Sequence, residues 1–375
     1  SSLQPNDKIA WFHCASLGEF EQGRPIIEGL KKKDPALNVM VTFFSPSGYE
    51  VRKNYEYAKY VFYLPQDTFY NAKRFLDLVK PVMAVFIKYE FWFHYLDELK
   101  KKEIPTFLIS AVFSQNQIFF KWYGGFFRKI LTNYTQIFVQ DKRSAELLNI
   151  IGIQNYTLSG DTRFDRVYDT VVKAAPIVEL NDFKQSHKVL VAGSTWKQDE
   201  EALVELINNK AGKELKFIIA PHETNRENIK RLCSAIGPEA VKYSALKNTN
   251  IRDIRVLIID NVGMLARLYQ YGDIAYIGGG FKDALHNILE PAAFGMPIVF
   301  GPGFTNFREA VELIEKGGAF TIASGVDLVA KTKFLLSDPY IIKIAAEICR
   351  NYVREKKGAA EVVLKSLNTH KAASF

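Results

Sequence analysis

Residues 8–19 read Lys8-Ile9-Ala10-Trp11-Phe12-His13-Cys14-Ala15-Ser16-Leu17-Gly18-Glu19. An apolar run of strand length ends in small residues and a glycine. A helical pattern follows from about Glu21. The same step recurs down the chain. Lys8–Ser16, Asn38–Ser45, Tyr60–Leu64, Val82–Tyr89, Thr106–Val112, Gln136–Gln140 and Tyr156–Ser159 read as strands. Helix-like stretches such as Gly23–Lys33 and Ser144–Ile151 lie between them. Near-continuous apolar runs belong to strands buried on both faces, so the pattern predicts a parallel sheet covered by helices on both sides.

Residues 171–187 interrupt this rhythm with Pro176, polar residues and no clear strand. It then restarts at Lys188–Gly193, Lys216–Pro221, Val256–Asp260, Ile274–Gly278, Pro297–Gly301 and Ala319–Ala323. Asp327–Leu367 is helical in pattern. The expectation is an α/β chain of two Rossmann-like, doubly wound parallel-sheet domains facing across a cleft. Their bounds are 1–170 and 188–350, with a linker at 171–187 and a helical tail at 351–375. Ligands of open α/β sheets bind at the carboxyl ends of strands, so the chemistry should follow the strands.

With 48% apolar and 24% charged residues, the 375-residue chain has the balance of a globular protein and excludes disorder or coiled coil as its main content. No apolar run approaches the 18 or so residues of a spanning helix. The net charge of +8 raises nucleic acid as a partner. However, residues 1–170 carry 22 basic and 18 acidic groups and the remainder 27 and 23, so the excess is spread evenly. A diffuse excess suits anionic small substrates or a negative membrane surface, and no nucleic-acid partner is expected. Cys14, Cys233 and Cys349 form neither a disulfide framework nor a zinc motif.

Four stretches can carry chemistry. At Ser16-Leu17-Gly18-Glu19 a strand, small residues and a helix start make an anion-friendly turn. Glu19 there is either a general base or only a partner of the helix dipole. Glu90, in Lys88-Tyr89-Glu90-Phe91-Trp92, ends an apolar strand among aromatics. It either orients a substrate or pairs with Lys88. In the second domain, Gly278-Gly279-Gly280 and then Asn287-Ile288-Leu289-Glu290-Pro291 form a glycine-rich loop, with Glu290 placed for a ribose diol. Ser194-Thr195, Pro221-His222 and Asn306 stand at further strand or helix ends of that domain, His222 being either an anion ligand or structural.

The fourth stretch, Ile118–Leu131, interleaves six aromatics with Lys121, Arg128 and Lys129. Phe119, Lys121, Trp122, Phe126, Arg128 and Lys129 are the candidate membrane or lipid contacts, against the alternative of a core helix with snorkelling cations. No Asp-x-Asp pair, dinucleotide fingerprint, Walker A, GxSxG or zinc motif occurs.

Together these residues resemble the bacterial 3-deoxy-D-manno-oct-2-ulosonic acid (Kdo) transferases of lipopolysaccharide synthesis. The resemblance spans nearly the whole chain. It is carried by HCASLGE at His13–Glu19, YEFW at Tyr89–Trp92, GDTRFD at Gly160–Asp165, GSTWKQDEE at Gly193–Glu201 and HNILEPAAFGMPIVFGPGFTNFRE at His286–Glu309.

The resemblance implies a two-Rossmann (GT-B) glycosyltransferase that moves Kdo from CMP-Kdo to a lipid A precursor, an acylated and phosphorylated glucosamine disaccharide. Transfer inverts the anomeric centre, without metal or cofactor, at the cytoplasmic face of the inner membrane. It makes Glu19 the base and Glu90 the second carboxylate, with Ser16, Gly18 and Arg163 on the acceptor side. Donor contacts fall on Ser194, Thr195, His222, Gly263, Met264, Gly279, Gly280, Asn287, Glu290 and Asn306.

The sequence departs from the family at several of these points. Pro221-His222 replaces Pro-Arg-His, Asp260–Leu265 replaces Asp-Thr-x-Gly-Glu-Leu, Ala284–Asn287 replaces Gly-Gly-His-Asn, and Ser110-Ala111-Val112 replaces Asn-Ala-Arg. Many members carry a short N-terminal hydrophobic helix. This chain opens Ser1-Ser2, and the expectation is that such an anchor is absent from it. A UDP-sugar transferase or epimerase of the same architecture is the alternative reading.

Overall fold

The computed structural model describes residues 7–373. The first sheet contains β1 (Ile9–Cys14), β2 (Asn38–Phe43), β3 (Tyr60–Tyr63), β4 (Met83–Ile87), β5 (Thr106–Ala111), β6 (Gln136–Val139) and β7 (Tyr156–Leu158). All pair in parallel, in the order β3-β2-β1-β4-β5-β6-β7. The second sheet contains β8 (Lys188–Thr195), β9 (Leu215–Pro221), β10 (Ala240–Lys242), β11 (Val256–Ile258), β12 (Ile274–Ile277), β13 (Ile298–Phe300) and β14 (Ala319–Thr321). It is also parallel, in the order β10-β11-β9-β8-β12-β13-β14.

Both sheets are buried on both faces. Along β1, Ile9 and Trp11 enter one apolar cluster while Ala10, Phe12 and Cys14 enter the other. Successive side chains point to opposite faces, so a strand with core on both sides must be apolar at every position. That is why its sequence reads as an unbroken run. Each of the large side chains contributes about 1.5–3 kcal/mol on full burial. The helices that follow start where short polar side chains cap them: Ser45, Thr68, Asp141 and Asn225 each accept a backbone N–H of the first turn.

The chain folds as two compact units, residues 1–166 with 356–375, and residues 167–355. In the first, the helix Ala359–Ala373 lies on the helix Leu17–Lys33, and Val363, Leu364 and Leu367 join its core. Asp165 accepts the Gly358 N–H at 2.9 Å and helps hold the returning segment. Residues 171–187 pack into the second unit through Ile177, Leu180 and Phe183. The tyrosine hydroxyl of Tyr271 accepts the Ile177 N–H at 2.7 Å.

The α/β class and the two parallel sheets agree with the sequence reading. One strand escaped it: β10 is a three-residue edge strand, Ala240-Val241-Lys242, whose sequence carries no sustained apolar run. The first helix begins at Leu17, earlier than the pattern suggested, so Glu19 lies within its first turn.

Candidate active site

Near the middle of each sheet the strand order reverses. In the first the reversal lies between β1 and β4, in the second between β8 and β12. Crevices at such switch points, beyond the carboxyl ends of the strands, bind ligands. Both conspicuous carboxylates follow the first pair of strands. Glu19 follows β1 and Glu90 follows β4, and the two strands pair in register with His13 opposite Phe86.

Ser16 has the extended backbone of an N-cap, but its hydroxyl caps no amide. It donates instead to the Glu19 carboxylate. Gly18 is exposed, and a Cβ there would make only an ordinary contact with Ser16 Oγ at 3.7 Å.

Glu90 is only 6% exposed. Trp92 Nε1 donates to its Oε2, and the Tyr134 hydroxyl donates to its backbone carbonyl. His13 Nε2 lies 3.1 Å from the same Oε2. Lys88 does not pair with Glu90: its ammonium lies 5.1 Å from the centre of the Tyr89 ring. Lys88 itself has φ of +74°, a strained conformation for a side-chain-bearing residue, and strain of this kind collects at functional sites. Arg163 folds back on its own motif, with its guanidinium 2.8 Å from Asp161.

The second switch point is built from the ends of β8, β9 and β12. Ser194 has φ of +52°, and the register between β8 and β9 shifts at this residue. Its neighbour Thr195 turns inward and donates to Glu200 at 3.2 Å. Burial raises the Glu200 carboxyl, against the opposing pull of its ion pair with Arg231. Trp196, His222 and His286 stack nearby, with ring centres 4.3 Å apart for Trp196–His222 and 4.7 Å for His222–His286. Lys282 lies 4.4 Å from the Trp196 ring centre. Trp196 Nε1 donates to His286 Nε2 at 3.1 Å, which requires that nitrogen to be unprotonated. Burial, and then the neighbouring His222, lowers the His286 pKa accordingly.

The glycine run does a different job from the one the sequence suggested. Gly278, Gly279 and Gly280 are buried and let backbones meet: Gly278 against Ser194–Thr195, Gly279 against Ala284, and Gly280 against Gly301. The Gly279 amide donates to buried Asp199 at 3.0 Å and is not open to a phosphate. Asp199 also accepts from Trp196 N and the Tyr276 hydroxyl, so it ties the β8 turn to the glycine loop. Asn287 caps its own turn by accepting the Leu289 N–H. Glu290 is half-buried in the first turn of Leu289–Phe294. Gly263, at φ of +92°, Met264 and Asn306 lie on accessible turns of this unit.

The aromatic-basic stretch divides. Phe119 is not a surface contact: it is buried against Phe91 and Phe113. The Arg128 guanidinium is spent on the carbonyls of Phe119 and Lys121, at 2.8 and 2.7 Å, and holds the turn together. Trp122, 91% exposed, and Tyr123 and Phe126 do face outward, with Lys129 exposed beside them and Lys121 partly so. Among the described residues, no three His, Cys, Asp or Glu side chains converge as metal ligands, and no helix is long and apolar enough to cross a membrane. The sequence reading passed over His13, Thr42, Asp199, Trp196 and Lys282 as site residues. A single His, Thr or Asp inside an apolar run gives no periodic signal that separates a site residue from a packed one.

Residues 1–166 match the family model described as 3-deoxy-D-manno-octulosonic-acid transferase (Kdo transferase). The curated 3-deoxy-D-manno-octulosonic acid transferase of Rickettsia bellii is 29% identical over 346 residues, which cover 90% of this chain and 81% of that protein. The fold is shared with the UDP-GlcNAc 2-epimerase of Neisseria meningitidis, at a TM-score of 0.67 and 15% identity over 96% of this chain and all of that one. It is also shared with MurG of Acinetobacter baumannii, at 0.59 and 12% over 97% and 99% of the two chains. The chain is thus a homologue of the bacterial Kdo transferases, which are glycosyltransferases, with the family's domain in residues 1–166 and a fold of the GT-B type.

Proposed function

We propose that this chain transfers Kdo from CMP-Kdo to a lipid A precursor, with inversion and without a metal, using Glu19 as general base. The observation that carries the reading is the placement of Glu19 and Glu90 after the two strands that flank the first switch point, within the segment that matches the Kdo transferase family. A sugar hydroxyl is a poor nucleophile, and a carboxylate placed just past a strand end, in the first turn of a helix, is suited to take its proton as the new bond forms. The anomeric carbon gains positive character as CMP departs, and a fixed carboxylate such as Glu90 stabilises that charge or orients the sugar.

The second unit is assigned the donor. CMP leaves as a phosphate monoester whose negative charge grows during the reaction. Lys282, His222 and the strained Ser194 turn supply cationic and hydrogen-bonding groups at its switch point. Trp122, Tyr123 and Phe126, with Lys121 and Lys129, suit a negatively charged lipid surface, and this supports an acylated, phosphorylated acceptor at the inner membrane.

Titrating the protein with CMP and with UDP tests the donor assignment. The reading expects CMP to bind and UDP to bind at least about tenfold more weakly. Equal or tighter UDP binding contradicts it. EDTA is expected to leave the transfer rate unchanged, and loss of activity restored by a divalent cation contradicts metal independence.

A further inference from the structure

Behind Glu90 lies a line of buried polar groups. Trp11 Nε1 donates to Thr42 Oγ1 at 2.8 Å, and Thr42 Oγ1 lies 2.9 Å from His13 Nδ1. All three residues are fully buried. His13 Nε2 is equally buried, has no aligned hydrogen-bond partner among the described residues, and sits 3.1 Å from Glu90 Oε2.

The donor inventory orders this line. Indole N–H only donates, so Thr42 accepts from Trp11 and its own hydrogen remains to be placed. The alternative acceptor, Phe12 O, is 3.4 Å away, whereas His13 Nδ1 is 2.9 Å away. The shorter contact is the better bond. His13 Nδ1 then accepts, and a neutral imidazole must carry its hydrogen on Nε2, facing Glu90. Trp92 Nε1 donates to the same Oε2, with its ring edge-on to His13 at 5.0 Å and 89°. The His13 Nε2 hydrogen thus lies beside the oxygen that Trp92 bonds, in close electrostatic contact at 3.1 Å without the alignment of a hydrogen bond, and no hydrogen bond to Oε1 is found among the described residues.

We propose that Trp11, Thr42 and His13 form a buried positioning relay that fixes His13 with its hydrogen on Nε2, so that Glu90 is oriented through Oε2 and presents Oε1 to the substrate. His13 and Thr42 touch no substrate in this account. They act through Glu90.

Selective nitrogen-15 labelling of the histidines of the intact protein reads the tautomer without any assay of activity. His13, identified by the signal lost in His13→Gln, is expected to carry its hydrogen on Nε2 and none on Nδ1. A hydrogen on Nδ1 overturns the proposal, whatever reaction the protein catalyses. The kinetic arm rests on the transferase reading above. Thr42→Val should lower kcat about tenfold while leaving KM for both substrates within about twofold, and Thr42→Ser should recover most of the rate. A Thr42→Val protein that loses stability but keeps kcat per folded molecule shows that the line is structural only, and overturns the proposal. Absence of transfer by the unaltered protein contradicts the function and leaves the tautomer result standing.

Discussion

Gly278→Ala probes the second switch point, where Gly278 just past β12 meets Ser194 and Thr195 of β8. A Cβ on Gly278 would lie 2.2 Å from Ser194 O and 2.7 Å from Thr195 Cα. Carbon–oxygen contacts settle near about 3.3 Å, so one backbone must retreat by about 1 Å. Neither side yields easily. Gly278 N donates to Gly193 O at 3.0 Å, and Gly278 O accepts from His286 N at 3.2 Å. Overpacking costs about 1–3 kcal/mol, and a weakened ladder bond adds about 1 kcal/mol.

A net loss of about 3 kcal/mol lowers Tm by about 6–12 °C for a unit of this size. Because the displaced atoms belong to the Ser194–Thr195 turn, CMP affinity should fall with it. Calorimetric unfolding and CMP titration read the two effects. Gly125→Ala is the control, since nothing lies within 4 Å of its Cβ and its φ is not positive. A Gly278→Ala protein within 2 °C of the parent Tm (about 0.5–1 kcal/mol), with unchanged CMP affinity, refutes the argument that this glycine is required for close backbone approach.

Two further outcomes follow. Replacing Trp122 and Phe126 with serine should weaken binding to anionic vesicles while leaving CMP binding intact, because both side chains are exposed; unchanged vesicle binding removes them from the membrane contact. His286 has a pKa below the ordinary 6.5, so the unfolded chain takes up its proton first as the pH falls. Its contribution to stability is fully present above pH 6.5 and is lost as the pH drops through that value toward the folded pKa, and His286→Asn should flatten this part of the Tm–pH curve.

The parallel sheets were legible because strands buried on both faces write uninterrupted apolar runs, as β1 and β4 do. The edge strand β10 has no such duty and left no mark. Glu19 and Glu90 were legible as carboxylates just past strand ends. The groups behind Glu90 were not, because His13 and Thr42 face each other across β1 and β2, 29 residues apart in sequence. Ile118–Leu131 misled for a related reason. It reads as one aromatic-basic piece, but it is a short turn at Ile118–Phe120 and a separate helix at Gly125–Leu131. Only a glycine fits at position 124 between them, because a Cβ there would meet Ile118 O at 2.0 Å. That reversal sends Phe119 inward and leaves Trp122 outside. The glycine run likewise advertised close approach without saying to what, and the partners are other backbones.

The most direct test of the account is transfer itself. The protein and its Glu19→Gln variant are incubated with CMP-Kdo and a tetra-acylated lipid A precursor, and the lipid is weighed by mass spectrometry. The account predicts a gain of one or more Kdo units by the parent. In the variant, it predicts a rate lower by about a hundredfold or more at undiminished CMP binding. Transfer by the variant at the parent rate contradicts Glu19 as base, and no transfer by a parent that binds neither CMP nor the lipid contradicts the function.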